Sequence, residues 1–340
     1  MDSQNVNKRK GNVKDSYDFR NARKAKKDEF YTSLTDIEKE VWEYKNHFKG
    51  KTVYCNCDDP RASKFFYYFS YNFEKLGLKK LMATCYKNTS RDFFSQNDSK
   101  HGLYLEYDGD KNGNKVPDTE EIGIQHLAED GDFRSMECVA LLKQADIVVT
   151  NPPFSLFREY VSQLVKYEKK FLILGNVNAI GCKDIFPLMM KNKMWLGHSI
   201  SSGDREFGVP NDYPLQAAGF RVDENGKKYI RIKGVRWYTN MEHKKRNEEL
   251  VLCEKYSKND YPKYDNYDAI NIDKVKEIPK DYDGIMGVPL TFMDKYNPEQ
   301  FEIVGKTHNR CNAGKYLIGD DTCPMINGRK LYYRILIRKK

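Results

Sequence analysis

The residues with the clearest chemistry stand together at Asn151-Pro152-Pro153-Phe154, directly after the largely apolar run Asp146-Ile147-Val148-Val149-Thr150. Two successive prolines fix φ and remove two backbone donors, so such a loop presents carbonyl oxygens in a rigid array. The Asn151 side-chain oxygen and the Pro152 carbonyl can together accept both hydrogens of an exocyclic amine. Phe154 offers a ring face to the heterocycle that carries the amine. Held this way, the nitrogen turns its lone pair toward an electrophile. A stiff turn that merely contains Asn and Phe is the bland alternative; the buried strand just before the tetrapeptide favours the catalytic reading.

Other segments promise less. Asp108-Gly109-Asp110-Lys111-Asn112-Gly113-Asn114 opens like a calcium loop, with oxygen donors at positions 1, 3 and 5 and glycine at 6. Counted from Asp108, position 12 is Thr119, and Glu120 and Glu121 arrive one and two places late, so a polar surface turn is expected. Gly50-Lys51-Thr52 and Gly305-Lys306-Thr307 lack the first glycine of a phosphate-binding loop. His308, Cys311 and Cys323 lack a matching fourth ligand. No metal is expected anywhere. Arg236, Lys244, Lys245 and Arg246 surround Trp237 and Tyr238 as a candidate phosphate-binding surface, with a solvated charged helix over Met241–Leu250 as the equal alternative.

The elements that must position the Asn151 loop follow an alternating α/β pattern. The spacing predicts helices over Thr35–Phe48, Ser63–Leu76, Met136–Leu142 and Leu156–Tyr167. Strands are predicted at Thr52–Cys55, Leu81–Cys85, Ile122–Ile124, Asp146–Thr150 and Phe171–Leu174, with a polar insertion from Asn88 to Glu121. Later strands are expected at Met194–Ser199 and Tyr229–Trp237, and the stretch from Glu254 reads as mostly β or irregular. A doubly wound sheet of this kind binds ligands at the carboxyl ends of its strands, so functional loops should follow Cys55, Cys85, Phe133 and Thr150.

Composition bounds the partners. Lys and Arg number 58 against 49 Asp and Glu, a net +9, which suits a polyanion. Residues 1–27 hold nine basic residues against three acidic ones and almost nothing apolar, the composition of a flexible arm. No stretch approaches the roughly 20 apolar residues of a membrane helix, and the first thirty residues contain no apolar signal segment. Eight cysteines without a Cys-x-x-Cys pair read as reduced thiols, consistent with a cytoplasmic protein.

In Asp28-Glu29-Phe30-Tyr31-Thr32, Val53 to Pro60, Thr150 to Ser155 and the late Pro289 to Pro298, the sequence resembles the EcoRI-type adenine-specific (N6) DNA methyltransferase family. The likeness spans most of residues 28–340. It implies a Rossmann-like fold dependent on S-adenosylmethionine (SAM), with a C-terminal target-recognition module. By this resemblance, Phe30, Tyr31 and Thr32 would hold the methionine end of the cofactor. Cys55, Asn56, Asp58, Asp59 and Pro60 would take the place of the glycine-rich loop, which is absent, and Asp132 and Phe133 would meet the cofactor adenine. A target adenine in duplex DNA must be flipped out, with Phe154 as a stacking face. The chain has no Pro-Cys dipeptide, which disfavours the covalent route of cytosine-C5 methylation.

The expected organisation is a basic arm at 1–27, a SAM-binding catalytic domain at 28–250 and a target-recognition module at 251–340. Double-stranded DNA is the expected partner, beside a cognate restriction endonuclease acting on the same site. A monomer is expected, since modifying one strand at a time requires no dimer. Two other readings compete: N-methylation of RNA or of protein glutamine through the same motif, and an inert DNA-binding protein on the same scaffold.

Overall fold

A computed structural model describes residues 32–57, 64–86, 102–118, 120–199, 204–209, 219–308, 316–318 and 321–340. The basic arm, Phe30, Tyr31, Asp58, Asp59, Pro60 and Cys311 lie outside the described residues.

Seven strands come first in the chain: β1 (Thr52–Asn56), β2 (Lys80–Cys85), β3 (Leu103–Tyr107), β4 (Gly123–His126), β5 (Ile147–Thr150), β6 (Lys170–Asn176) and β7 (Trp195–Leu196). An antiparallel excursion follows, of β8 (Asp204–Val209), β9 (Arg221–Val222) and β10 (Lys228–Lys233), before β11 (Val235–Thr239) rejoins the first group. The central sheet has the order β4-β3-β2-β1-β5-β6-β11-β7. Its middle four strands are parallel, while β3, β4, β11 and β7 add antiparallel pairs at the two flanks.

Burial explains why the middle strands read so clearly. All residues of β1 and β5 are buried, as parallel strands covered on both faces must be. Val53, Leu81, Ile147, Val149, Leu172 and Leu174 face one side, where the segments Leu34–Val41, Lys45–Phe48, Lys64–Tyr71 and Phe73–Leu76 cover them. Tyr54, Met82, Val148, Phe171 and Ile173 face the other, beneath the helices Met136–Gln144 and Phe157–Lys166. The alternation along each strand thus builds a three-layer sandwich, the α/β class expected.

Two expectations need correction. The strand next to β2 is Leu103–Tyr107, which falls inside the expected polar insertion, and it runs antiparallel. The expected third strand is β4, whose residues are all exposed at the edge of the sheet. A single antiparallel hairpin therefore occupies this flank in place of another parallel unit. The expected strand Tyr229–Trp237 is likewise two: the chain turns left-handed at Gly234 (φ +71°), sending β10 to the small sheet and β11 to the central one.

The late chain forms β12 (Ile270–Asn271), β13 (Met286–Val288), β14 (Phe301–Lys306), β15 (Met325–Ile326), β16 (Arg329–Lys330) and β17 (Ile335–Lys339). Four of them make a sheet of order β12-β13-β17-β14. Its Ile270, Met286, Val288, Ile335 and Ile337 join the same apolar cluster as the second face of the central sheet. Arg236 on β11 reaches Asp294 through two hydrogen bonds of 2.6 and 3.0 Å, and Lys306 donates to the Gly181 carbonyl at 2.7 Å. Among the described residues no helix is long and apolar enough to cross a membrane.

Candidate active site at the carboxyl edge of the sheet

The Asn151 loop leaves β5 at the carboxyl edge of the parallel strands, as expected. Asn151 and Pro152 are buried, and Pro153 opens a short turn, Phe154–Leu156, in which the Leu156 N–H donates to the Pro153 carbonyl at 2.9 Å. Phe154 packs on the cluster of the first face. The bracing comes from below and beside the loop. Thr150 Oγ1 donates to the Asn56 carbonyl, and Tyr160, on the Phe157–Lys166 helix, donates its hydroxyl to Asn56 Oδ1. Asn56 thereby locks the ends of β1 and β5 to one helix. Its carboxamide is turned inward, so the residue acts here as a brace for the loop.

The end of β1 carries an unusual turn. Cys57 adopts φ +79°, a left-handed conformation that glycine ordinarily supplies. This is the place where a glycine-rich cofactor loop would bend, and Cys57 makes the bend instead. Cys55 is buried in the first-face cluster, so only its backbone remains for a ligand at this edge. Tyr54 shares a 2.6 Å hydrogen bond with Thr84 at the end of β2. Burial pushes the Tyr54 and Tyr160 phenols well above their usual value, so both remain protonated.

Asp132 and Phe133 lie after β4, in the turn that enters the Met136–Gln144 helix, whose first N–H groups are capped by Ser135 (Cys138 N–H to Ser135 Oγ, 3.2 Å). Gly131 makes this route feasible. It has φ +77°, and a Cβ there would collide with the Cys85 carbonyl at the end of β2. Phe133 meets Tyr160 edge-on, 5.1 Å between ring centres, and the Gln163 amide donates to the Phe133 carbonyl at 2.9 Å. The Asp132 carboxylate is bound by Arg134 at 2.6 and 2.8 Å. Partial burial opposes its charge, but these bonds prevail and hold it below the usual carboxylate range.

Two hollows bear on the expected cofactor residues, one beside Thr32 and one beside Phe133. One, of about 960 Å³, is lined by Thr32, Asp36, Lys64, Arg205, Tyr229 and Arg231 among others. The other, of about 720 Å³, is lined by Phe133, Arg134, Ser155, Leu156, Arg158 and Gln163 among others. Each holds a sheltered polar atom with no hydrogen-bond partner, Thr32 Oγ1 in the first and Gln163 Oε1 in the second. A buried polar atom without a partner calls for one, such as a water or a ligand, so Thr32 and Gln163 are candidates to hold a polar cofactor. The sequence reading missed Tyr160 and Gln163. Tyr160 and Gln163 carry only the periodic signal of a helix, and nothing local distinguishes a bracing residue from a core one.

The candidate phosphate surface around Trp237 is not formed. Arg236 is buried against Asp294, Arg246 stacks on Trp195 at 3.6 Å and pairs with Glu242, and Lys245 donates to the His198 carbonyl at 3.0 Å. Nor does Met241–Leu250 form the alternative helix; a short turn spans Lys244–Asn247.

Residues 18–340 match the family described as adenine-specific methyltransferase EcoRI. The chain is 50% identical over 322 residues to type II methyltransferase M.EcoRI of Escherichia coli, covering 94% of this chain and 95% of that one. It is 40% identical over 336 residues to type II methyltransferase M.MgeORF184P of Mycoplasma genitalium, and 38% identical over 339 residues to type II methyltransferase M.MpnI of Mycoplasma pneumoniae. Each of these two alignments covers 95% of this chain and 98% of the relative. No solved structure matches significantly. With the family matched over nearly its whole length, the chain belongs to the EcoRI family of adenine-specific methyltransferases.

Proposed function

We propose that this adenine-specific, SAM-dependent DNA methyltransferase acts on the N6 amine of an adenine flipped out of double-stranded DNA, with Asn151, Pro152, Pro153 and Phe154 as its catalytic residues. The observation that carries the reading is the Asn-Pro-Pro-Phe segment at the carboxyl end of β5, with Asn151 and Pro152 buried and the strand end tied through Thr150 and Tyr160 to Asn56. The cofactor, when bound, supplies an electrophilic methyl group on a sulfonium. The chain's own task is positional: it must hold the amine in line and keep its lone pair out of conjugation with the ring. Asn151 and Pro152 accept the amine hydrogens, Pro153 stiffens the turn, and Phe154 stacks on the extruded base. A thiol nucleophile is not required, and burial pushes the Cys138 thiol up, away from the thiolate form.

Thr32, with Phe30 and Tyr31, would hold the methionine end of SAM. Cys55, Asn56, Asp58, Asp59 and Pro60 would take the place of a glycine-rich cofactor loop. Phe133 and Asp132 would meet the cofactor adenine. The β15–β16 hairpin offers the exposed Arg329 and Lys330, the latter paired with Asp321 at 2.9 Å, and the nearby Tyr332 is 85% exposed. Cations beside an exposed ring suit nucleic acid, which supports residues 251–340 as the target-recognition module. The basic arm would add phosphate contacts, and its deletion should flatten the salt dependence of DNA binding. We further infer a cytoplasmic monomer that protects the site cut by a cognate endonuclease. The test is transfer of tritiated methyl from SAM to duplex DNA, RNA and protein, with Asn151→Ala as control. Tight DNA binding without transfer by the native chain would sink the proposal.

A further inference from the structure

The polar segment between β3 and β4 takes no part in the methyl chemistry, and its hydrogen bonds set a different count from the one that starts at Asp108. Asp110 accepts the Gly113 N–H through Oδ1 at 2.7 Å and the Lys115 N–H through Oδ2 at 2.8 Å. Asn112 Oδ1 accepts from the Asn114 N–H at 2.9 Å, and Asn114 Oδ1 from the Val116 N–H at 2.7 Å. Asp110 is therefore the first residue of the loop, which makes Asn112 third, Asn114 fifth, Val116 seventh, Asp118 ninth and Glu121 twelfth. The sixth place, where twelve-residue calcium loops turn sharply, is Lys115, at φ +61°. Positions 1, 3, 5, 7, 9 and 12 are those from which such loops supply oxygen, the seventh through its backbone carbonyl.

Acidic residues in a polar turn do not by themselves make a site; Glu121 supplies the independent sign. The residue is 7% exposed. Its Oε1 accepts the N–H groups of Lys111 at 2.6 Å and Asn112 at 3.2 Å, which turns the carboxyl group into the loop. Its Oε2 is buried with no hydrogen-bond partner. A buried carboxylate oxygen without a donor is costly, and a twelfth-position glutamate gives both oxygens to a bound calcium ion. The Lys111 ammonium pairs with Asp108 at 2.8 Å, outside the twelve residues. As the loop stands, no three His, Cys, Asp or Glu side chains among the described residues are gathered to hold a metal, and the Asn112 amide donates to Asp118 Oδ2 at 2.7 Å. Binding must therefore displace that amide and draw Asp118 inward.

We propose a calcium site with ligands from Asp110, Asn112, Asn114, the Val116 carbonyl, Asp118 and Glu121. Magnesium suits it poorly, because that ion keeps its waters and resists a bidentate carboxylate in a many-oxygen cage. Two carboxamides in place of carboxylates, with lysine at the sixth position, put the affinity at the weak end of this class, on the order of 10⁻⁴–10⁻³ M. Occupancy would order the edge hairpin β3–β4, from which the chain runs on to Gly131, Asp132 and Phe133.

Calorimetric titration of the full chain with calcium chloride, paired with thermal unfolding in calcium and in magnesium, tests the proposal. One saturable site is expected, with an unfolding temperature that rises in calcium and much less in magnesium. Glu121→Gln should weaken binding about tenfold or more, and Asp110→Asn should weaken it as well. A flat titration to roughly ten times the upper end of that affinity range would overturn the site. So would stabilisation by magnesium equal to that by calcium, or binding left unchanged by both substitutions.

Discussion

The loop after β5 and the loop after β3 both carry polar groups out of a buried strand, yet they are held by opposite means. The first is braced from afar: Thr150 and Tyr160 meet Asn56 across 94 and 104 positions of sequence. The second is tied within itself, by bonds spanning ten positions or fewer, apart from the Asp110 N–H on Glu74. Long-range bracing couples a loop to the whole fold, so its geometry is set before any substrate arrives, which is what transfer to a positioned amine requires. A locally tied loop can exchange its partners without disturbing a sheet, which suits a ligand that organises its own shell. Perturbing the first kind of bond should therefore be felt globally, and perturbing the second only near its place.

The largest effect is expected where long-range bracing joins the two sheets. Arg236 and Asp294 are each 5% exposed in their side chains. Asp294→Ala leaves the guanidinium buried without its carboxylate, at an expected loss of about 3–5 kcal/mol in urea unfolding. A loss under about 1 kcal/mol would mean that the late sheet is not coupled to the catalytic one. Next comes Asn151→Ala, which should cut methyl transfer about 10²–10³-fold, the usual scale for one preorganised hydrogen-bonding group. Its stability should fall far less than its activity, because the brace runs through Asn56. Tyr160→Phe removes that brace while keeping the ring against Phe133. A stability loss of about 1–3 kcal/mol is expected, from the Asn56 oxygen left without its donor. The turnover number should fall more than the Michaelis constant for SAM rises; an unchanged turnover number would show that the brace is structural only.

This contrast also explains what the sequence made legible. The Asn151 tetrapeptide, β1, β5 and their covering helices announce themselves through local pattern, because full burial of parallel strands leaves an unbroken apolar run. Leu103-Tyr104-Leu105-Glu106-Tyr107 carries a similar signal, but polar neighbours on both sides absorbed it into an apparent insertion. Tyr160 and Asn56 are invisible as partners, since no local rule links residues so far apart. The calcium pattern was fully present in the sequence and obscured by its register. Asp108 and Gly113 suggested one start, and only the hydrogen bonds of Asp110 fix the other.

A smaller global effect is expected from pH. His243 is buried under β7, with Nε2 bound to the Leu196 carbonyl at 2.9 Å and Nδ1 without a partner. Burial, reinforced by His198, Lys245 and Arg246, pushes its pKa down to about 4. The unfolded chain, near 6.5, therefore binds the proton more strongly than the folded one. The stability tied to neutral His243 is complete above about pH 6.5 and is lost as pH falls toward 4, by at most about 1.4 kcal/mol per unit. Urea unfolding at pH 7 and 5.5 should show a smaller difference for His243→Gln than for the native chain; equal differences would place the titration elsewhere.

The smallest effect tests the local loop. In the presence of a chelator, Glu121→Gln keeps an oxygen in place for the Lys111 and Asn112 N–H groups while removing a buried negative charge whose second oxygen has no partner. Asp110 and Asp118 sit in the same loop, so repulsion falls as well. The variant should match the native chain or exceed it, by no more than about 1 kcal/mol. In saturating calcium the order should reverse, because only the native carboxylate can complete the shell. Methyl transfer measured with the chelator present should be the same for both, since bonds confined to residues 110–121 leave the Asn56 brace untouched. A variant less stable than the native chain under chelation would mean that the Glu121 charge already has a partner within the fold, and the contrast between far-braced and self-tied loops would lose its second term.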